Sequence, residues 1–138
     1  MRIMGVDYGD ARIGIAMSDI MGWTAQGLKT VKNMGIKKTL IEFEAIIKEY
    51  NPEKIVLGLP KNMDGSEGFR AEATYNFAEE LKTIFNGEII FWDERLTTVG
   101  ATRYLNDTNT FGKNRKKVLD TVSASLILEG YLNSLKNN

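Results

Sequence analysis

The chain predicts an α/β fold built on a mixed five-stranded sheet, a three-strand antiparallel meander plus two parallel strands, with helices on both faces. Two observations carry that expectation. The first 32 residues hold three short apolar runs separated by turn residues, and from residue 36 onward helical periodicity alternates with short apolar strands. No internal repeat, low-complexity tract or linker interrupts the 138 residues, so a single domain spanning 1–138 is expected, large enough for one core.

Residues 2–6 read as a buried strand ended by Asp7. Gly9 permits a tight turn, as a residue free to take φ > 0, and Ile13–Met17 returns as the second strand of a hairpin. Ala25–Lys32 supplies a third strand between the turn residues Gly22 and Gly35. Ile36, Leu40, Phe43, Ile47 and Tyr50 then recur at helical spacing until Asn51-Pro52 stops the helix. Lys54–Pro60 is apolar throughout, as a parallel strand covered on both faces should be. After a polar loop at 61–68, Phe69, Ala73, Phe77, Leu81 and Ile84 mark a second helical stripe, with Gly87 as its stop. Glu88–Trp92 is the last strand, running into Asp93-Glu94-Arg95. Thr97 or Thr98 can cap a short helix to about Leu105, Asn106–Asn114 reads as a loop, and a final helix runs from about Lys116 to Leu135.

Composition narrows the chemistry more than the charge does. There is no histidine, which excludes histidine bases, Ser-His-Asp catalysis and imidazole-ligated metals. There is no cysteine, hence no thiolate chemistry or disulfide. An enzyme of this composition must work with carboxylates, Lys, Arg, hydroxyls and hard cations held by oxygen. Eighteen basic and eighteen acidic side chains balance, so any nucleic-acid surface must be local. The absence of a long apolar run or a signal-peptide pattern leads us to expect a cytoplasmic protein and no membrane partner.

Ligands of open α/β sheets bind beyond the carboxyl ends of the parallel strands. Asp7 and the pair Asp93-Glu94 stand at two such ends, and Pro60-Lys61-Asn62 at a third. A lone buried carboxylate is costly unless paired or bound to a cation. Asp7 is therefore either a turn cap or a functional acid. Alternation sends Asp93 and Glu94 to opposite faces, so only one of them can point inward. Asp120, placed near the start of the last helix, either complements the helix dipole or joins the acids. The small residues Ser123, Ala124 and Ser125 beside it would let that helix approach the sheet. Trp92 belongs to the core or stacks on a base.

Four segments, GVDYGDARIGIAMSD at 5–19, IVLGLPKNMDGSEGFRAE at 55–72, WDERLTTVGA at 92–101 and LDTVSASLILEGYL at 119–132, together resemble the YqgF/RuvX family. The resemblance implies the RNase H-like fold and a nuclease, either one that trims the 5′ end of pre-16S ribosomal RNA or a Holliday-junction resolvase. It points to Asp7, Glu94 and Asp120 as catalytic and metal-binding acids holding Mg²⁺ or Mn²⁺, with two ions roughly 3.5–4 Å apart. Arg12, Lys61, Arg95, Lys113, Arg115, Lys116 and Lys117 are then the nucleic-acid-binding candidates. The partner would be structured RNA or branched DNA, free or within a pre-ribosomal particle, met by a monomer or a homodimer. Two other classes compete. A binding protein could keep the fold without turnover. Sugar kinases and actin-like ATPases open with a similar Asp-x-Gly hairpin, but need two such domains.

Overall fold

The computed structural model describes residues 1–97 and 113–136, with the side chains of 113–119 excepted. Its elements follow the expected order: β1 (Ile3–Tyr8), β2 (Arg12–Ser18), β3 (Ala25–Lys32), α1 (Ile36–Tyr50), β4 (Lys54–Leu59), α2 (Phe69–Leu81), β5 (Glu88–Asp93), a 3₁₀ turn (Glu94–Leu96) and α3 (Lys113–Lys136). The strands form one sheet in the order β3-β2-β1-β4-β5. β1, β2 and β3 pair antiparallel, whereas β4 and β5 run parallel to β1. Asp7 lies inside β1, paired with Gly14, one residue further into the strand than expected.

Strand alternation divides the core. Met4, Val6, Ile13, Ile15, Ile55 and Leu57 face α1 and α2, where Phe43, Phe77 and Leu81 meet them. Ile3, Ala16 and Val56 face α3, against Ala124, Ile127, Leu128 and Leu132. At the end of β1 the Tyr8 ring stacks on Phe77 with centroids 4.5 Å apart. The chain leaves α1 through Asn51 in the left-handed region, whose N–H donates to the Ile47 carbonyl, just before Pro52.

Helix α2 presents a different face from the predicted stripe. Ala71, Thr74, Phe77, Ala78 and Leu81 are buried, while Phe69 is 74% exposed. Thr74 can be buried because its hydroxyl donates to the Arg70 carbonyl. The helix stops at Leu81 rather than Ile84. The short helix expected from Thr97 or Thr98 to Leu105, and most of the following loop, lie outside the described residues. Lys113 and Asn114, expected in that loop, are already helical.

α3 lies unusually close to the sheet because its track is floored with glycine. A Cβ on Gly27 would stand 2.9 Å from the Thr121 Cβ, one on Gly14 2.1 Å from the Asp120 carbonyl oxygen, one on Gly5 2.9 Å from the Ala124 carbonyl oxygen, and one on Gly58 2.4 Å from the Ile127 Cδ1. These glycines sit on β3, β2, β1 and β4. One helix thus settles across four strands, with close dispersion contact along its length.

Candidate active site

Asp7 shares the α3 face with Ile3 and Gly5, two and four residues before it, and is 7% exposed. Glycines flank it on both neighbouring strands. On β2 its partner is Gly14. On β4, one step past the pair Val6–Leu57, comes Gly58. The Asp120 backbone crosses directly over Gly14, and the place of a Gly58 Cβ lies 2.9 Å from Glu94 Oε1. Three carboxylate-bearing residues from β1, the β5 exit and α3 therefore lie on one patch spanning three adjacent strands. The room that side chains on the flanking strands would have filled is taken by the Asp120 backbone over Gly14 and by Ile127 and Glu94 over Gly58.

Gly9 has a different task from the one its sequence position suggested. Its φ is not among the positive ones. A Cβ there would lie 2.4 Å from the Arg12 carbonyl oxygen, so it is the closeness of the β1–β2 turn that demands glycine. Asn33 braces the same turn, donating from Nδ2 to the Gly9 carbonyl and to the Tyr8 hydroxyl.

The β5 exit separates Asp93 from Glu94. Asp93 caps the 3₁₀ turn, and its carboxylate accepts from the Arg95 backbone N–H at 2.9 Å. It also accepts from Arg95 Nε and Nη2, the latter at 2.8 Å. Glu94, one residue on, turns to the α3 face and is buried. The Thr97 N–H and hydroxyl both donate to the Glu94 carbonyl, closing the turn beneath it. The hydrogen bonds from Arg95 hold the Asp93 carboxyl below the usual carboxylate range, with burial opposing and the Lys61 charge assisting. A folded value below the unfolded one stabilises the protein above about pH 4, and that stability is lost as pH falls through the depressed folded value. Carboxyl-carbon NMR titration should find Asp93 titrating below ordinary aspartates, returning toward them in Arg95→Gln. An unshifted Asp93 in the wild type would refute the pairing.

Asp120 stands two turns into α3, because the helix begins at Lys113. Dipole compensation at a first turn therefore does not account for it. Its Oδ2 accepts from Arg12 Nε at 2.6 Å, with the two side chains 15% and 32% exposed. Among the described residues, no three acidic side chains converge tightly enough to hold a metal ion as they stand. The acids share one patch of the sheet but not one point. The donor set fits a hard divalent cation nonetheless. Every candidate ligand is a carboxylate oxygen, the donor such a cation prefers.

The cationic candidates are placed unequally. Arg12 is engaged with Asp120, and Arg95 with Asp93 and, through Nη1 at 3.5 Å, the Met63 carbonyl. Lys61 follows β4 after Pro60 and is half-buried. Lys113, Arg115, Lys116 and Lys117 fall on the first turns of α3, and their side chains lie outside the described part of the chain. The loop after β4 is held by the Asn62 N–H donating to the Ser66 carbonyl and by the Asp64 carboxylate accepting from the Ser66 N–H and hydroxyl. Trp92 packs in the α3-side core, edge-on to Tyr131 at 6.2 Å, so it is not presented for base stacking. Sequence reasoning missed the role of Gly14 and Gly58. Their signal is glycine recurring inside otherwise apolar strands.

A family model described as "RuvX: Holliday junction resolvase" matches residues 1–134. The chain is 48% identical over 139 residues to a protein of Ruminiclostridium cellulolyticum, covering 100% of this chain and 98% of that one. It is 51% identical over 131 residues to one of Clostridioides difficile, covering 95% and 93%. A Bacillus subtilis relative is 47% identical over 137 residues, covering 98% and 99%. All three carry the name "Putative pre-16S rRNA nuclease". Among solved structures, Thermus thermophilus RuvC in complex with a Holliday junction substrate aligns with a TM-score of 0.61 at 9% identity, covering 99% of this chain and 96% of that one. The fowlpox virus resolvase in complex with substrate Holliday junction DNA aligns with a TM-score of 0.52 at 15% identity, covering 98% and 99%. At such identities the likeness concerns the fold alone, and the fold is RNase H-like.

Proposed function

This chain belongs to the RuvX family, and on that premise we propose that it is a metal-dependent phosphodiester hydrolase that processes the 5′ end of pre-16S ribosomal RNA. The observation that supports this reading is that Asp7, Glu94 and Asp120 share one patch of the α3-facing side of the sheet at the ends of β1 and β5, over Gly14 and Gly58. In this proposal the three carboxylates would hold the cations. When bound, divalent ions supply Lewis acidity and a water of lowered pKa, which makes a histidine base unnecessary.

The chain's own residues then do the rest. β1 fixes Asp7 in a paired strand, so that little reorganisation is needed on binding. The 3₁₀ turn holds Glu94 inward, and α3 brings Asp120 across from the far end of the sequence. Lys61 contributes positive charge at the end of β4, where the scissile phosphate would approach. Arg95 adds to it through Nη1, the one guanidinium nitrogen that Asp93 does not use. The first turns of α3 offer four basic residues where the helix dipole is also positive, suited to backbone phosphates. We take residues 1–138 as one domain, acting in the cytoplasm where ribosomal precursors are processed.

The RNA reading takes precedence because the relatives at 47–51% identity carry it, whereas the junction-bound structures share only 9–15%. The family description favours a second reading, a resolvase of branched DNA. Cleavage of matched pre-16S RNA, four-way DNA junction and simple single strands, with Mg²⁺ and with Mn²⁺, tests both. Preferential cutting at the RNA 5′ end is expected. Paired symmetric cuts in the junction would establish the second reading instead. Binding of all three without cleavage would make the protein a non-catalytic binder.

A further inference from the structure

Arg12 offers more than a spare phosphate contact. It opens β2 and shares the α3 face with Gly14, two residues on, while Asn33 braces the turn that carries it. From the other side, the α3 backbone at Asp120 is pressed against Gly14. Both partners are therefore held in place by backbone packing before their side chains meet. Their contact spans 108 residues of sequence at 2.6 Å, and Asp120 keeps only 15% of its side-chain surface. An exposed ion pair contributes little, but a half-buried one leaves an uncompensated charge when either partner is removed.

We propose that Arg12 is a positioning residue: its guanidinium holds the Asp120 carboxylate in competition with a divalent cation, and so sets the metal affinity of the site. This rests on the metal-dependent reading above. A fixed positive charge this close to a candidate ligand repels an incoming dication and must give up its hold before Asp120 can turn to the metal. The pair also explains how the acids can share a patch without converging. Asp120 is engaged elsewhere until a stronger cation arrives. A purely structural Arg12 would do the opposite of what is proposed, since losing it would only loosen a ligand and weaken binding.

The sign of the effect is the test. Calorimetric titration of Mn²⁺ into the metal-free, substrate-free protein should show Arg12→Gln binding more tightly than wild type by about 10-fold, the scale on which groups bonded to ligands tune metal affinity. Arg12→Lys, which keeps the charge, should restore a dissociation constant near the wild-type one. In an Asp120→Asn background the Arg12→Gln effect should vanish, because there is no carboxylate left to contest. Circular dichroism confirms that each variant is folded, and the charge-keeping Lys variant stands as the second measure. Unchanged or weaker Mn²⁺ binding by Arg12→Gln, with wild type binding normally, overturns this proposal alone. Wild-type protein that binds no Mn²⁺ overturns the metal-dependent reading and this proposal with it.

Discussion

Asp7→Asn should abolish Mg²⁺-dependent cleavage while leaving the fold intact. Asparagine matches aspartate in size, and the residue sits in a paired stretch of β1 opposite Gly14, so the ladder does not depend on its charge. The substitution removes one of three neighbouring carboxylates and relieves their mutual repulsion. The melting temperature should therefore hold steady or rise. Activity should fall by more than ~100-fold, because groups only one step removed from a metal already cost 10–100-fold. Cleavage of the preferred substrate, measured beside a thermal melt, separates the two effects. Activity that survives the change, or that persists in wild type under excess EDTA, would sink the metal-nuclease reading.

Gly14→Ala should damage stability and activity together. The added methyl carbon would lie 2.1 Å from the Asp120 carbonyl oxygen and 2.7 Å from its carbon. Backbone of a long helix cannot swing aside as a flexible side chain can, so α3 must lift from the sheet. Forcing extra volume into a packed interface costs about 1–3 kcal/mol. That corresponds to a melting temperature lower by roughly 3–12 °C for a domain of this size. The same movement carries Asp120 away from Asp7, so cleavage should fall even below the melting transition. Gly68→Ala is the steric control, because its methyl meets nothing nearer than Asn62 Nδ2 at 4.0 Å, and it should lose only what an alanine N-cap costs α2, with cleavage below the melting transition unchanged. Equal melting of the two variants would mean that α3 does not depend on the glycine floor.

The elements were readable because their signals are local. Apolar runs and helical spacing survive in the linear order, so the strands and α1 fall where periodicity puts them. α2 shows where that ends. Phe69 fits the helical stripe, but the docked helix buries Thr74 and Ala71 instead, since small groups let it approach the sheet. α3 begins at Lys113, ahead of the expected Lys116, and the difference arises because a polar and basic first turn has the composition of a loop.

By itself, the sequence determined the order of the elements and an oxygen-and-cation chemistry without histidine or cysteine. Through its family resemblance it also named the acids that matter for the proposal. Only the tertiary structure decided which of Asp93 and Glu94 turns inward, why Gly14 and Gly58 flank Asp7, and that Arg12 is paired with Asp120. The physical reason is distance along the chain. Periodicity records how each segment meets a core, whereas strand register and the closeness of a helix arise when segments a hundred residues apart pack together. The opening hairpin carries Asp7 in its own letters, but what surrounds Asp7 comes from β4, the β5 exit and α3.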